Sequence, residues 1–358
     1  MRKVLIAFVV VILQLSFQFN ALSQAEGGNT LSLGVILPLS GPLAFVGEDV
    51  RRGMEIAINK YENSRLRIKF EDDGYKGTNA ASAAQRLLTI DRVDLLVSLW
   101  DMAEIVAPVS ERLSKPHISI RWDSGITSRF KYTFTFEATA ESYVTFMSKI
   151  PAFSSAERLA ILTEESVGWN LAREKVKEII KSNNQLLVFD DTFNAGVSDF
   201  RSEISKAILT QPNVFILNCV QPELGRIIRT IRELSPKADI LGFFQGIDNP
   251  ALVEGIPYVS LTDTAPWFKQ AFKLKYGEDF KIRASHGYDI VGLLDQATHT
   301  KEYKLSSADL ISYLNSISDY KGASGALTTN KTQNIETAVS YEVFNGGTSS
   351  KIHLEDMR

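Results

Sequence analysis

Residues 31–61 read LSLGVILPLSGPLAFVGEDVRRGMEIAINKY. Leu31 to Leu37 form a short run rich in branched apolar side chains, stopped by Pro38 and then by Gly41-Pro42. That length and that punctuation predict a β-strand. The period then changes: Val50, Met54, Ala57, Ile58 and Tyr61 fall at i, i+4, i+7, i+8 and i+11, one face of a helix. An apolar strand, a turn and an amphipathic helix make the first step of a parallel α/β sheet. Strands covered on both faces by helices read as continuous apolar runs, as this one does.

The pattern extends in both directions from there. Leu66 to Phe70 reads as a second strand, closed by Glu71-Asp72-Asp73-Gly74, and Thr78 is placed to cap a helix that buries Ala80, Ala84, Leu87 and Leu88. Asp94 to Leu99 is a third strand, followed by a helix with Val106, Val109 and Leu113 inward, then strands at His117 to Ile120 and Thr133 to Phe136. The series restarts at Arg158 to Thr163. Helices at Leu171 to Ile180, Phe200 to Leu209 and Glu223 to Leu234 then alternate with strands at Leu186 to Asp190, Val214 to Val220, Ile240 to Phe244 and Tyr258 to Leu261. Two such series predict an α/β protein with two doubly wound parallel-sheet lobes. The last third offers helices at Pro266 to Tyr276, Ala284 to Thr298 and Ser306 to Ser316, and short strands at Ala338 to Phe344 and Lys351 to Leu354. These pieces are too few for a third lobe and are expected to return onto the first two. No low-complexity linker separates the lobes, so several short crossings must join them, which is the geometry of a hinge.

Arg2 and Lys3 precede a mostly apolar stretch from Val4 to Phe19, and Ala21-Leu22-Ser23 and Ser23-Gln24-Ala25 offer small-x-small cleavage sites. Residues 1–25 therefore read as a secretory signal peptide. Gln14, Ser16, Gln18 and Asn20 dilute the run and disfavour the competing reading, a membrane anchor. No cysteine follows it to carry a lipid. The mature chain of about 330 residues is long for one core, and 44% hydrophobic content can fill two. Formal net charge is −3 with the signs mixed, which points neither to nucleic acid nor to an anionic membrane. The single cysteine, Cys219, lies within an apolar run, so no internal disulfide forms and a buried thiol is expected.

In open α/β sheets ligands sit beyond the carboxyl ends of the strands. The loops there hold no nucleophile elbow, no phosphate loop and no dinucleotide fingerprint. His117, His286, His299 and His353 are far apart and form no ligand pair. Glu71-Asp72-Asp73 reads as a strand end with carboxylates near a helix start. An enzyme, a metal site and a cofactor are therefore not expected. What the loops do hold is Trp100, Trp122 and Trp169, three of the four tryptophans, each at a strand end. Together they suggest an aromatic-lined pocket. Arg121 is the cation placed to fork onto a ligand carboxylate, or equally to make a surface ion pair. Trp267, beside Phe268 and Phe272, is expected in the core.

From Leu33-Gly34-Val35-Ile36-Leu37-Pro38-Leu39-Ser40-Gly41-Pro42-Leu43-Ala44 the chain resembles the leucine/isoleucine/valine-binding-like proteins, the periplasmic substrate-binding components of branched-chain amino-acid ABC transporters. The likeness continues through Gly47, Gly53 and Ala57, Glu71-Asp72-Asp73, Pro222-Glu223-Leu224-Gly225, Ser285-His286-Gly287-Tyr288-Asp289 and Gly322-Ala323-Ser324-Gly325-Ala326-Leu327. It implies a type I periplasmic-binding fold with crossings near Glu137 to Glu141, Tyr258 to Ala265 and Lys321 to Thr329. It also implies a first lobe of residues 29–138 plus 263–323 and a second of 139–262 plus 324–358. The family's amino-acid readers are not kept. Its carboxylate-holding serine falls at Ala103, its small-residue run at Arg121 to Gly125, its aromatics at Val46, Val167 and Val220, and its ammonium-pairing acid at Gln245.

The resemblance thus implies a periplasmic, transport-linked protein, not an enzyme, that closes on a small carboxylate or an apolar or aromatic molecule rather than an ordinary α-amino acid. A ligand sensor of the same fold, signalling to a receptor or regulator, is the alternative. The candidate ligand-binding residues are Phe45, Trp100, Arg121, Trp122, Ser124, Trp169, Gln245 and Asp248. The expected partners are the small molecule and a separate membrane permease with its ATPase, served by a monomer.

Overall fold

The computed structural model describes residues 30–61, 64–242, 249–260, 262–280, 282–352 and 356. The chain opens with β1 (Leu31–Leu37), α1 (Ala44–Lys60), β2 (Leu66–Asp72), α2 (Gly77–Thr89), β3 (Leu95–Leu99), α3 (Ala103–Arg112), β4 (His117–Ile120) and β5 (Thr133–Phe136). It then crosses to α4 (Ala140–Met147), α5 (Pro151–Ser154), β6 (Arg158–Glu164), α6 (Val167–Ser182), β7 (Leu186–Phe193), α7 (Arg201–Leu209), β8 (Val214–Asn218), α8 (Glu223–Leu234), β9 (Asp239–Gly242) and β10 (Pro257–Ser260). It returns through α9 (Pro266–Tyr276), α10 (Ala284–Thr298), α11 (Ser307–Asn315), β11 (Tyr320–Gly322), β12 (Gly325–Thr329) and β13 (Asn334–Glu336). Last come β14 (Ser340–Asn345) and β15 (Thr348–Lys351).

Among the described residues the first lobe carries the strand order β11-β12-β13-β5-β4-β3-β1-β2. Pairing is parallel from β2 to β13 and antiparallel beyond it. The second carries a parallel sheet, β7-β6-β8-β9, beside an antiparallel one, β10-β14-β15. The central strands explain their apolar reading: every residue of β3 and β8 is buried, because helices cover both faces. The inward face of α1 packs backbone to backbone on α10. A Cβ on Gly53 would lie 1.8 Å from the Ala284 carbonyl oxygen, and one on Gly287 would lie 2.2 Å from that of Val50. Only glycine permits that approach.

Three crossings join the lobes, between β5 and α4, between β10 and α9, and between β13 and β14. They run side by side: the Ala138 N–H donates to Thr337 Oγ1 (2.9 Å), and the Asp263 N–H donates to the Ala338 carbonyl (2.8 Å). The third crossing corrects the expectation. Residues 324–336 are strands of the first sheet, since β12 pairs with β13 and β13 with β5. The chain therefore changes lobe between Glu336 and Ser340. The cause lies in α10, where the buried Asp289 carboxylate accepts the Ala323 and Ser324 N–H groups at 2.6 and 2.7 Å. That pins the Gly322–Gly325 turn onto the first lobe.

Three smaller expectations also change. Helix α2 starts at Gly77, with Lys76 rather than Thr78 at its cap position. Strand β10 is antiparallel to β14 instead of continuing the parallel series. Trp267 is 44% exposed, because Phe268 and Phe272 take the inward face of α9. The signal-peptide reading lies outside the described residues, among which no helix is long and apolar enough to cross a membrane.

Candidate ligand-binding cleft

Strand β3 delivers Leu99, and the chain turns at once through the short 3-10 turn Trp100–Met102. Trp100 adopts φ 49°, and two more residues of the same wall, Tyr75 and Arg283, adopt φ 57° and 60°. Left-handed backbone costs a non-glycine residue of order ~1–3 kcal/mol, and such positions gather at ligand clamps. Here they converge on one ring. Tyr75 meets Trp100 edge to face at 6.2 Å, and the Arg283 guanidinium carbon lies 5.1 Å over the Trp100 ring. Arg283 also reaches Glu137 of the first crossing at 2.6 Å. Both members of that pair are buried. Burial pushes the Glu137 carboxyl up to about 6 against the pull of Arg283, and lowers the guanidinium.

Strand β4 delivers Arg121 and Trp122. Arg121 is 2% exposed, and its Nη1 and Nη2 donate to Glu104 (3.1 Å) and Asp123 (2.6 Å). Trp122 reaches across to the second lobe. There β6 ends at Glu164 and Ser166 caps α6, its hydroxyl accepting the Trp169 N–H at 3.2 Å. The Trp122 and Trp169 rings meet edge to face, 4.5 Å apart at 88°. Gly168 makes the contact possible, since a Cβ there would stand 2.2 Å from Trp122 Nε1.

Between these walls lies a cavity of about 160 Å³, completed by Leu43, Asp101, Glu165, Ala195 and Val220. A void of ~150 Å³ accommodates one benzene ring. Its carboxylates are perturbed. Burial raises Asp101, while Arg121 and the Val167 N–H oppose the shift. Burial, then the nearby Glu223 and Asp101, push the Glu164 carboxyl up to about 7. The Val220 N–H donates to Glu164, but its buried Oε2 has no hydrogen-bond partner among the described residues. Glu165 is exposed and held low by Asn170 and Thr192.

The structure brings together four of the expected residues: Trp100, Arg121, Trp122 and Trp169 all line the cavity. Phe45 does not. It packs half-buried against the first-lobe core, and Leu43 lines the cavity from that loop instead. Ser124 opens the 3-10 turn Ser124–Ser128, with its side chain outside the described atoms. Gln245 and Asp248 lie outside the described residues. Sequence reasoning missed Tyr75, Arg283 and the charged lining. Asp101 and Glu164 stand at or just beyond the carboxyl ends of β3 and β6, where ligands sit in open α/β sheets. Tyr75 and Arg283 enter through turns that no periodicity marks.

Other sequence features resolve into supports. Asp72 Oδ1 accepts the N–H groups of Leu39, Ser40 and Gly74, which ties the first loop to the end of β2. His117 is buried against Ser98 Oγ (2.8 Å) and Thr133 Oγ1 (3.2 Å), and Cys219 is buried with its thiol raised by burial. Among the described residues no group of His, Cys, Asp and Glu is arranged to hold a metal.

A family model described as periplasmic binding protein matches residues 30–348. The Leu/Ile/Val-binding protein homolog 3 of Brucella melitensis is 24% identical over 237 residues, 61% of this chain and 62% of the relative, so the match spans about three-fifths of that relative's length. The solved leucine-binding protein LivK of Thermotoga maritima superposes with a TM-score of 0.78 at 21% identity, covering 90% of this chain and 98% of that one. An ABC-transporter solute-binding protein from R. palustris, solved with benzoate, reaches 0.79 at 16% identity over 90% and 95%.

Proposed function

Because the chain belongs to the periplasmic binding protein family, we propose that it is an exported solute-binding protein. It captures one small ring-bearing molecule between its lobes and hands it, as a monomer, to a membrane permease driven by an ATPase. The observation that carries this reading is the Trp122–Trp169 contact beside a ring-sized cavity that both rings line, with one tryptophan from each lobe. A ligand lodged there touches both halves only when they are shut, so binding shifts the open–closed population. Moving that ratio from 1:99 to 99:1 requires a preference of ~5.5 kcal/mol for the closed form.

Two features separate the ligand from leucine, isoleucine or valine. The walls include indole and phenol rings. The helix that starts at Ala103 offers no hydroxyl at the position of the family's carboxylate-holding serine. The neighbour solved with benzoate makes a ring ligand a natural member of the test set.

A thermal-shift screen of the mature protein against aromatic acids, arylamines, amides and branched-chain amino acids tests the reading. Saturation at about 100 times Kd adds ~2.7 kcal/mol, a rise of roughly 5–10 °C. That rise is expected from a ring compound and not from leucine, isoleucine or valine. Tight calorimetric binding of a branched-chain amino acid contradicts it.

A further inference from the structure

Both cleft arginines are engaged from behind, Arg121 by Glu104 and Asp123, and Arg283 by Glu137. The lining carboxylates Asp101, Glu164 and Glu165 have no lysine or arginine within salt-bridge distance among the described residues. The cavity wall is therefore left with surplus negative charge, set among aromatic rings. An anionic ligand would add to that surplus. A cation meets both features favourably: a carboxylate oxygen with no partner, and π-systems that attract positive charge by ~2 kcal/mol or more once water is excluded.

Taking this cleft as the ligand site proposed above, we infer that its ligand is a small organic cation. A protonated amine or quaternary ammonium, borne on or beside an apolar ring, sits with its nitrogen at Glu164 and its apolar part against Trp122 and Trp169. The charged neighbours of Glu164 agree with this assignment. Asp101, itself in the field of Arg121, faces it from the first lobe, and Glu223, paired with Arg226 at 3.6 Å, from α8, with the Cys219 thiol and the Tyr75 hydroxyl close by. Each contributes negative or neutral character.

A carboxyl held up to about 7 is partly protonated near neutral pH. A bound cation favours its ionised form, so cation affinity rises as pH climbs toward 7 and levels off above it.

The test uses two ions of nearly the same shape and opposite charge, benzylammonium and benzoate. Their affinities for the mature protein and for Glu164→Gln are measured by calorimetry between pH 5.5 and 8. The native protein is expected to bind benzylammonium at least tenfold tighter than benzoate. That preference should grow with pH up to about 7 and shrink tenfold or more in Glu164→Gln. Benzoate binding as tightly as benzylammonium overturns the inference, and so does an unchanged preference in the variant. Binding of neither ion also overturns it. The proposed function survives those outcomes if any other compound of the screen binds and compacts the protein.

Discussion

Gly168 is the position where one added side chain should separate folding from function. A Cβ there meets Trp122 Nε1 at 2.2 Å, and the proposed parting of the lobes would relieve that clash. Gly168→Val is therefore expected to keep its melting temperature within a few degrees while losing at least about tenfold in affinity, or ~1.4 kcal/mol. Native affinity in a folded variant would show that the two tryptophans do not meet in the bound state. At this scale the tryptophans were legible. One tryptophan at a strand end could equally pack under a loop, but three together point to a pocket. Tyr75 and Arg283 were not legible, because a left-handed backbone brings them in and only their surroundings impose it. Arg121 was legible as a cation beside the cleft, but not as a buried one held by Glu104 and Asp123, whose approach depends on how α3 packs.

Among the elements, the pairing of α1 with α10 shows what fixes the first lobe. Their backbones touch at Gly53 and Gly287, so a Cβ at either forces the helices apart. Overpacking of this kind costs ~1–3 kcal/mol. Gly53→Ala should therefore lower the melting temperature by roughly 2–12 °C, as read by calorimetry. An unchanged transition would mean that the helices sit farther apart. Strands buried on both faces announced themselves as apolar runs, and β1, β4 and β5 stand at the predicted bounds. Strands β11 to β13 escaped notice because they are three to five residues long and the first two expose much of their length. Without alternation or length, nothing in their sequence separates them from loop. What makes them strands is the Asp289 anchor and the free edge of β5, both tertiary facts.

For the whole molecule, two successive α/β series foretold two lobes, because each parallel sheet needs its own pair of helical layers. The place where the third crossing leaves the first lobe was not readable from the sequence, since Gly322 to Gly325 looks like a turn wherever it packs. Three crossings lying side by side with shared hydrogen bonds suit the proposed swing of one lobe on the other. That swing is the central claim. Small-angle X-ray scattering of the mature protein, with and without saturating benzylammonium, measures it directly. The radius of gyration should fall on binding in the native protein and stay put in Gly168→Val. A native protein that binds the ion with an unchanged radius would contradict closure of the lobes as the working motion.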